Sequence, residues 1–288
     1  MQNLSFYVHI PYCVKRCGYC DFNTYTPAEL RDGGTLEGVS EGFIDSLIAE
    51  VTFAARTQTT TIPTIFFGGG TPSLMSAQEL GRVIDLLKQR WEFTADIEIT
   101  MECNPDTLTL QSLEEYLAVG INRISMGMQS ANSNVLKVLD RTHNPENVAK
   151  SVENARLAGF ENVSLDLIYG TPGETLDQWE QTVSSALSYG VDHLSAYALI
   201  IEDGTKLSAK IKRGEVNRPD DDLMAQMYLK VDELAERAGL SWYELSNWAK
   251  TGAECQHNLI YWRNENWWGV GPGAHSHISG RRWWNVKN

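Results

Sequence analysis

The stretch Tyr7-Val8-His9-Ile10-Pro11-Tyr12-Cys13-Val14-Lys15-Arg16-Cys17-Gly18-Tyr19-Cys20 places three of the chain's five cysteines within eight residues. It follows a strand-like run from Leu4 to Ile10. The C-x3-C-x2-C spacing lets all three sulfurs turn inward from one short loop, with Pro11 and Gly18 shaping its backbone. Three thiolates so placed call for a metal. Zinc needs a fourth ligand, ordinarily from a second short-spaced Cys or His pair, and no such pair follows; His9 sits too close along an extended strand to fold back. A 4Fe-4S cluster held by three cysteines leaves one iron open for chemistry. That reading is preferred over zinc or plain structural thiols.

The totals bound the rest. At 288 residues the chain holds one large domain, or one domain with a smaller annex. Its 42% hydrophobic and 21% charged residues are those of a folded globular protein. A formal charge of -13 repels phosphate backbones and argues against nucleic acid and against a basic membrane-surface role. No basic signal-peptide start precedes Leu4, and the longest uncharged apolar run, Leu194 to Ile201, is too short to span a bilayer, so no transmembrane segment and a cytoplasmic location are expected. An odd number of cysteines, three of them clustered, suits a reducing compartment. Of nine tryptophans, five lie after Trp248, a shift in composition that marks an annex.

Along the chain, a polar linker from Thr24 to Gly38 precedes a helical pattern from Ser40 to Arg56, with Phe43, Leu47, Ile48 and Val51 on one face. Pro63 to Phe67 reads as a buried strand running into Gly68-Gly69-Gly70-Thr71-Pro72. Ser76-Ala77-Gln78-Glu79 is a capping box for a helix to about Arg90. Ile97 to Met101 alternates as a strand and ends in Glu102-Cys103-Asn104-Pro105. A junction then recurs around Gly120, Gly159 and Gly190, with a looser copy at Gly239: a helix stopped by glycine, then an apolar strand. Thr109, Asn144-Pro145, and Thr175 with Gln178 mark the helix starts between them.

Six strands alternating with helices, near residues 4, 63, 96, 121, 161 and 192, predict an α/β fold with a parallel sheet. Polar and glycine residues fall at the expected C-terminal ends of successive strands, at Cys13, Gly69, Glu102, Gln129 and Asp166. That favours a curled barrel whose mouth gathers them. Residues 1–205 are the expected core barrel and residues 206–288 the tryptophan-rich C-terminal annex, in which a helix from Pro219 to Ala238 and the tail close one side.

Several mouth residues have an ordinary reading and a functional one. A glycine turn after a strand commonly binds nothing, yet bare backbone at a barrel mouth lets N–H and C=O groups approach a polar ligand. Glu102 is either a solvated cap or a partner for a sugar hydroxyl or ammonium. Gln129 and Asp166 hold equivalent strand ends. Arg141 is either a surface arginine or a partner for a carboxylate.

Together these stretches resemble the radical S-adenosylmethionine (SAM) superfamily, and within it the branch of oxygen-independent coproporphyrinogen III oxidases (HemN) and HemW heme chaperones. The match runs from Tyr7-x-His9-Ile10-Pro11 through Gly-Gly-Gly-Thr-Pro, Glu-Cys-Asn-Pro, Gly127-Met128-Gln129-Ser130 and Asp166-Leu167-Ile168-Tyr169-Gly170-Thr171-Pro172-Gly173 to Arg282-Trp283-Trp284-Asn285. The resemblance implies a partial parallel (β/α)6 radical SAM barrel. In it Cys13, Cys17 and Cys20 bind a 4Fe-4S cluster, and the open iron chelates SAM through its amino and carboxylate groups. It implies that Tyr7, Tyr19, Gly69, Gly70, Thr71 and Glu102 contact SAM. Gln129, Arg141, Asp166 and Ile200 match positions that line a second SAM in the oxidase.

Three departures separate the two relatives. The oxidase carries a further cysteine two residues after the third cluster ligand, where this chain has Phe22. The oxidase also has an N-terminal extension, whereas this chain starts six residues before Tyr7. Third, His257-Asn258-Leu259-Ile260-Tyr261-Trp262 resembles a chaperone motif. A lone histidine beside aromatics is ordinarily a hydrogen-bonded core group, but in this context His257 is the first candidate for heme iron, with Cys255 and His275 as rivals. The family continues into a further C-terminal domain, which a chain ending at Asn288 is expected to lack or carry truncated. The expected function is a heme chaperone that binds a cluster, SAM and heme as cargo for acceptor hemoproteins. The alternative is the oxidase reaction, radical decarboxylation of coproporphyrinogen III; a third is a cluster protein whose SAM is structural or regulatory.

Overall fold

The computed structural model describes residues 3–30, 36–56 and 61–287. Six strands form its centre: β1 (Ser5–Ile10), β2 (Thr61–Gly69), β3 (Glu92–Cys103), β4 (Arg123–Gln129), β5 (Asn162–Tyr169) and β6 (His193–Ala198). Each pairs in parallel with the next in chain order. Helices α1 (Leu36–Ala54), α2 (Ala77–Arg90), α3 (Leu110–Ala118), α4 (Ser133–Val138), α5 (Pro145–Ala158) and α6 (Leu176–Ser188) run between them.

Local signals place these elements. The Ser76 and Glu79 side chains cap each other's amides at the start of α2, Thr175 and Gln178 do the same for α6, and Asn144 caps α5 with Pro145 at its first position. The four junction glycines all take left-handed backbone, with φ of 103° at Gly120 and Gly159, 73° at Gly190 and 82° at Gly239. The helix expected from Ser40 begins at Leu36, so the linker from Thr24 is shorter than read from the sequence; residues 31–35 within it lie outside the described residues.

Along the parallel strands the alternate residues divide into two chemistries. Phe6, Val8, Ile65, Phe67, Met101, Ile124, Met126, Leu165 and Leu194 are fully buried in one core shared with Leu47, Leu80, Leu113, Val152 and Trp179 of the helices. Each such side chain contributes about 1.5–3 kcal/mol. The other face carries Tyr7, Thr100, Glu102, Arg123, Ser125, Ser164, Asp166, His193 and Ser195, and these line a cavity of about 700 Å3. The sheet therefore curls with its polar face inward, and since β1 and β6 do not pair, the barrel is open on one side.

The C-terminal segment adds α7 (Lys206–Lys212), α8 (Asp221–Arg237), β7 (Ser241–Glu244), β8 (Asn247–Ala249), α9 (Gln256–Trp262), β9 (Trp267–Val270), β10 (His275–Ile278) and β11 (Arg281–Trp284). The helix expected from Pro219 is α8. The tail, expected to close one side, also extends both edges of the sheet, in the order β11-β10-β9-β1-β2-β3-β4-β5-β6-β8-β7. The reason is α9: it leaves β8 beside β6 and delivers the chain to β9 beside β1, crossing the open side. Asn285 ties the tail down, donating to the carbonyl of Gly271 at 2.9 Å and to Glu50 on α1. No helix among the described residues is long and apolar enough to cross a membrane.

Candidate functional site

The cysteine loop is held by its backbone on both flanks. The Cys13 amide donates to Tyr25 O at 3.0 Å, Gly18 N to Leu139 O at 3.0 Å, and Leu207 N to Gly18 O at 2.8 Å. Tyr19 packs on a satellite core of Val135, Leu139, Ile168, Leu199 and Leu207. The Tyr7 hydroxyl donates to His9 Nδ1 at 3.0 Å, and His9 Nε2–H donates to Asn23 O at 2.8 Å, fastening the loop's exit to β1.

The sulfurs of Cys13, Cys17 and Cys20 are free and all border the cavity. Burial pushes the Cys20 thiol up to about 11 and raises that of Cys13. Thiolates here need a compensating positive charge, which a metal centre supplies. Partial help is built in: Arg141 Nη1 donates to Cys17 Sγ at 3.5 Å and Thr71 Oγ1 to Cys13 Sγ at 3.7 Å. Among the described residues no three Cys, His, Asp or Glu side chains converge on a point that one ion could occupy. Cys103 and Cys255 are bonded elsewhere, to Met101 O and Glu98.

The glycine turn lies against this loop. Its Gly70 and Thr71 amides donate to Ile10 O and Tyr12 O, each at 2.7 Å, and a Cβ on Gly70 would sit 2.6 Å from Tyr12 O. Only glycine permits that approach. Gly69, at φ 111°, has no room either, since its Cβ would meet the His9 ring at 2.4 Å. With these amides spent, the turn offers carbonyl oxygens to a ligand, the polarity an ammonium group needs.

Glu102 stands beside it, accepting from Gly69 N at 2.9 Å. Set in the cavity wall away from bulk water, its carboxyl is pushed up to about 7 by burial and then by Asp166, against the Gly69 bond. Asp166 was expected at a strand end. It is the fifth residue of the eight in β5, because that strand starts at Asn162 and runs on to Tyr169. Its carboxylate accepts from Ser125 Oγ at 3.0 and 2.9 Å, and burial raises its pKa while the Ser195 and Ser125 hydroxyls oppose the rise.

Gln129 does end β4, in left-handed backbone at φ 56°, and its Oε1 has no hydrogen-bond partner among the described residues. Arg141 is a bridge between loop and sheet: besides Cys17, it donates to Gly127 O at 2.9 Å and to His143 Nδ1 at 3.4 Å. Two of its five N–H groups stay available for a carboxylate. Ile200 is 67% exposed at the mouth, where with Val14 at 65% and Phe22 at 61% it forms an apolar rim.

At the open side of the barrel His257 is 1% exposed. Its Nδ1 is bonded to Thr64 Oγ1 at 2.7 Å, its Nε2 to Tyr261 OH at 2.9 Å, and its ring stacks on Phe66 at 5.2 Å. Burial lowers its pKa to about 3. A ligand to iron needs a free nitrogen lone pair; with both ring nitrogens bonded His257 stands as a hydrogen-bonded core group whose motif seats α9 in the barrel's opening, and taking heme iron, as expected of it from the sequence, requires that its bond to Tyr261 or Thr64 be given up. Cys255 is likewise buried, its thiol pushed up to about 12.

The sequence reading missed the inner wall: Thr64, Glu98, Arg123, Ser125, Ser164, His193 and Ser195. A signal for it exists, since Ile97-Glu98-Ile99-Thr100-Met101-Glu102 and Arg123-Ile124-Ser125-Met126 carry a polar residue at every second position. The resulting chamber has thiols, carbonyls and a carboxyl at its mouth and is large enough for a nucleoside-sized molecule.

The chain matches the Radical SAM superfamily over residues 7–186. It is 45% identical over 289 residues to the heme chaperone HemW of Mycobacterium tuberculosis, covering 100% of the chain and 73% of that protein. HemW of Bacillus subtilis is 38% identical, over 98% of the chain and 73% of the relative. Among solved structures, coproporphyrinogen III oxidase (HemN) from Escherichia coli superposes with a TM-score of 0.84 at 24% identity, covering 100% of the chain and 67% of the oxidase.

Proposed function

The chain belongs to the radical SAM superfamily and, within it, to the HemW heme-chaperone family; on that premise we propose that it binds a 4Fe-4S cluster, SAM and heme, and delivers the heme to acceptor hemoproteins. The observation that carries the cofactor half is the convergence of Cys13, Cys17 and Cys20 with the Gly69-Gly70-Thr71 turn and Glu102 on one cavity. In this reading the three thiolates hold the cluster, which supplies an open iron for SAM and, where SAM is cleaved, the electron. The glycine carbonyls take the SAM ammonium. Glu102 takes a ribose hydroxyl, and its raised pKa lets it serve as donor or acceptor near neutral pH. Gln129 and the free N–H groups of Arg141 receive further polar groups of the ligand, and Tyr7 and Tyr19 wall it in.

The heme half rests on the relatives' names. The test is anaerobic reconstitution with iron and sulfide, followed by hemin titration and transfer to an apo-hemoprotein. Supporting results are about four irons per chain, a Soret band on titration and transfer of that band to the acceptor. The same preparation is then given SAM and coproporphyrinogen III. Formation of protoporphyrinogen would replace the chaperone reading with the oxidase one.

A further inference from the structure

Resting on the cluster half of the proposed function, we propose that Arg141 is the protein's own counter-charge to the 4Fe-4S cluster, raising its reduction potential through Cys17, and that His143 is the residue that positions it. The contact is direct: Arg141 Nη1 donates to Cys17 Sγ at 3.5 Å. Among the described residues no other cationic side chain is hydrogen-bonded to a sulfur of the loop. The Thr71 hydroxyl on Cys13 Sγ, at 3.7 Å, is neutral.

Backbone geometry sets where the guanidinium reaches. Helix α4 ends at Val138, and the turn after it closes on itself. The Asp140 amide donates to Lys137 O at 3.2 Å and the Arg141 amide to Leu136 O at 2.9 Å, with Asp140 in left-handed backbone at φ 56°. The cysteine loop is pinned to this same turn: Gly18 N donates to Leu139 O at 3.0 Å, and a Cβ on Gly18 would meet Asp140 Oδ2 at 3.2 Å. Cys17 and Arg141, 124 positions apart, each adjoin a residue of that contact.

The side chain is then fixed at its other two nitrogens. Nη2 donates to Gly127 O on β4 at 2.9 Å, and Nε to His143 Nδ1 at 3.4 Å. His143 is buried. Burial, and then the Arg141 charge, lower its pKa to about 4, so the ring is neutral and Nδ1 keeps the lone pair this bond requires. A strand carbonyl, an imidazole and a sulfur thus hold one planar group from three directions.

A fixed cation has a definite effect on a cluster couple. Reduction adds one electron and breaks no bond, and the added negative charge is more stable beside a guanidinium that also hydrogen-bonds a ligating sulfur. The cavity wall carries the carboxyls of Asp21, Asp140, Asp166 and Glu202 as well, and these oppose added negative charge. Arg123, also in the wall, is turned to Ala253 O and Glu98. Arg141 is the cation left to offset that field at the cluster.

The experiment is an EPR-monitored dithionite titration of the full chain, reconstituted anaerobically and without SAM, in which dithionite supplies the electron. Arg141→Gln is expected to lower the reduced-to-oxidised ratio at a fixed potential about tenfold, equivalent to about 59 mV for one electron. Arg141→Lys keeps the charge and is expected to recover most of that ratio. His143→Ala leaves the guanidinium but removes an anchor, and is expected to fall between the wild type and Arg141→Gln. A merely structural role would lower the iron content and leave the potential of the clusters that do form unchanged. Should Arg141→Gln hold no iron, His143→Ala decides: a ratio below that of the wild type supports the proposal, and an equal one overturns it. If both variants form the cluster and keep the wild-type ratio, Arg141 does not tune it and the cluster reading stands. If the wild-type chain itself assembles no cluster, that reading falls and this inference falls with it.

Discussion

The backbone amide of His257 donates to the carboxylate of Glu98 at 3.0 Å, so a residue of β3 caps the helix that crosses the barrel's open side. The same carboxylate takes the Gln256 amide at 3.1 Å and lies 3.9 Å from Arg123 Nη1. Glu98→Ala removes the cap and leaves the buried guanidinium of Arg123 without its nearest carboxylate. A loss of about 2–4 kcal/mol is expected in urea melts, with cluster absorbance retained once folded.

Replacement of any one of Cys13, Cys17 and Cys20 by serine is expected to abolish the iron-sulfur absorbance after reconstitution. Cys103→Ser and Cys255→Ser are expected to keep it, because those thiols are engaged at Met101 O and Glu98. Iron counts and the visible spectrum decide between the two groups. A Cys17→Ser protein that keeps full iron would remove the loop from the cluster assignment.

Gly70→Ala sets a methyl 2.6 Å from Tyr12 O, a backbone atom that cannot swing aside. The glycine turn and the cysteine loop must then separate. The expected outcome is about 2 kcal/mol or more of lost stability and loss of SAM binding by equilibrium dialysis. Gly173→Ala is the comparison: nothing lies within 4 Å of its Cβ, so it carries only the strain of φ 83°.

The Glu102 carboxyl titrates near 7 in the fold against 4.5 for the free group. The folded protein therefore keeps a proton that the unfolded chain releases first. Its stabilising effect is complete below about pH 4.5 and is lost as pH rises through about 7. Glu102→Gln removes this dependence. Relative to the variant, the cluster-free wild type is expected to lose on the order of 1–3 kcal/mol between about pH 5 and pH 8, measured as urea midpoints. Glu174, also raised to about 7 by burial, is present in both proteins and cancels in the difference.

Much of the site was legible because its signals are local. Ser76 with Glu79, Thr175 with Gln178 and the junction glycines act within a few residues of themselves, and each appears where the sequence puts it. The cysteine spacing likewise brings Cys13, Cys17 and Cys20 to one loop beside the glycine turn. Asp166 was misplaced because β5 continues past a polar residue. In a barrel with a polar interior, an inward carboxylate does not end a strand.

The sequence by itself determined the alternation of six strands with helices, the three-thiolate loop and the family, since capping, turn chemistry and the two-residue period of a strand are short-range properties. Only the tertiary structure decided the fate of the histidines. His257 meets Thr64 across 193 positions of sequence and is buried in the barrel, while His275, in an equally aromatic stretch, stacks on Trp284. Whether an imidazole's lone pair is spent or free depends on partners brought from distant segments, and no local pattern encodes them.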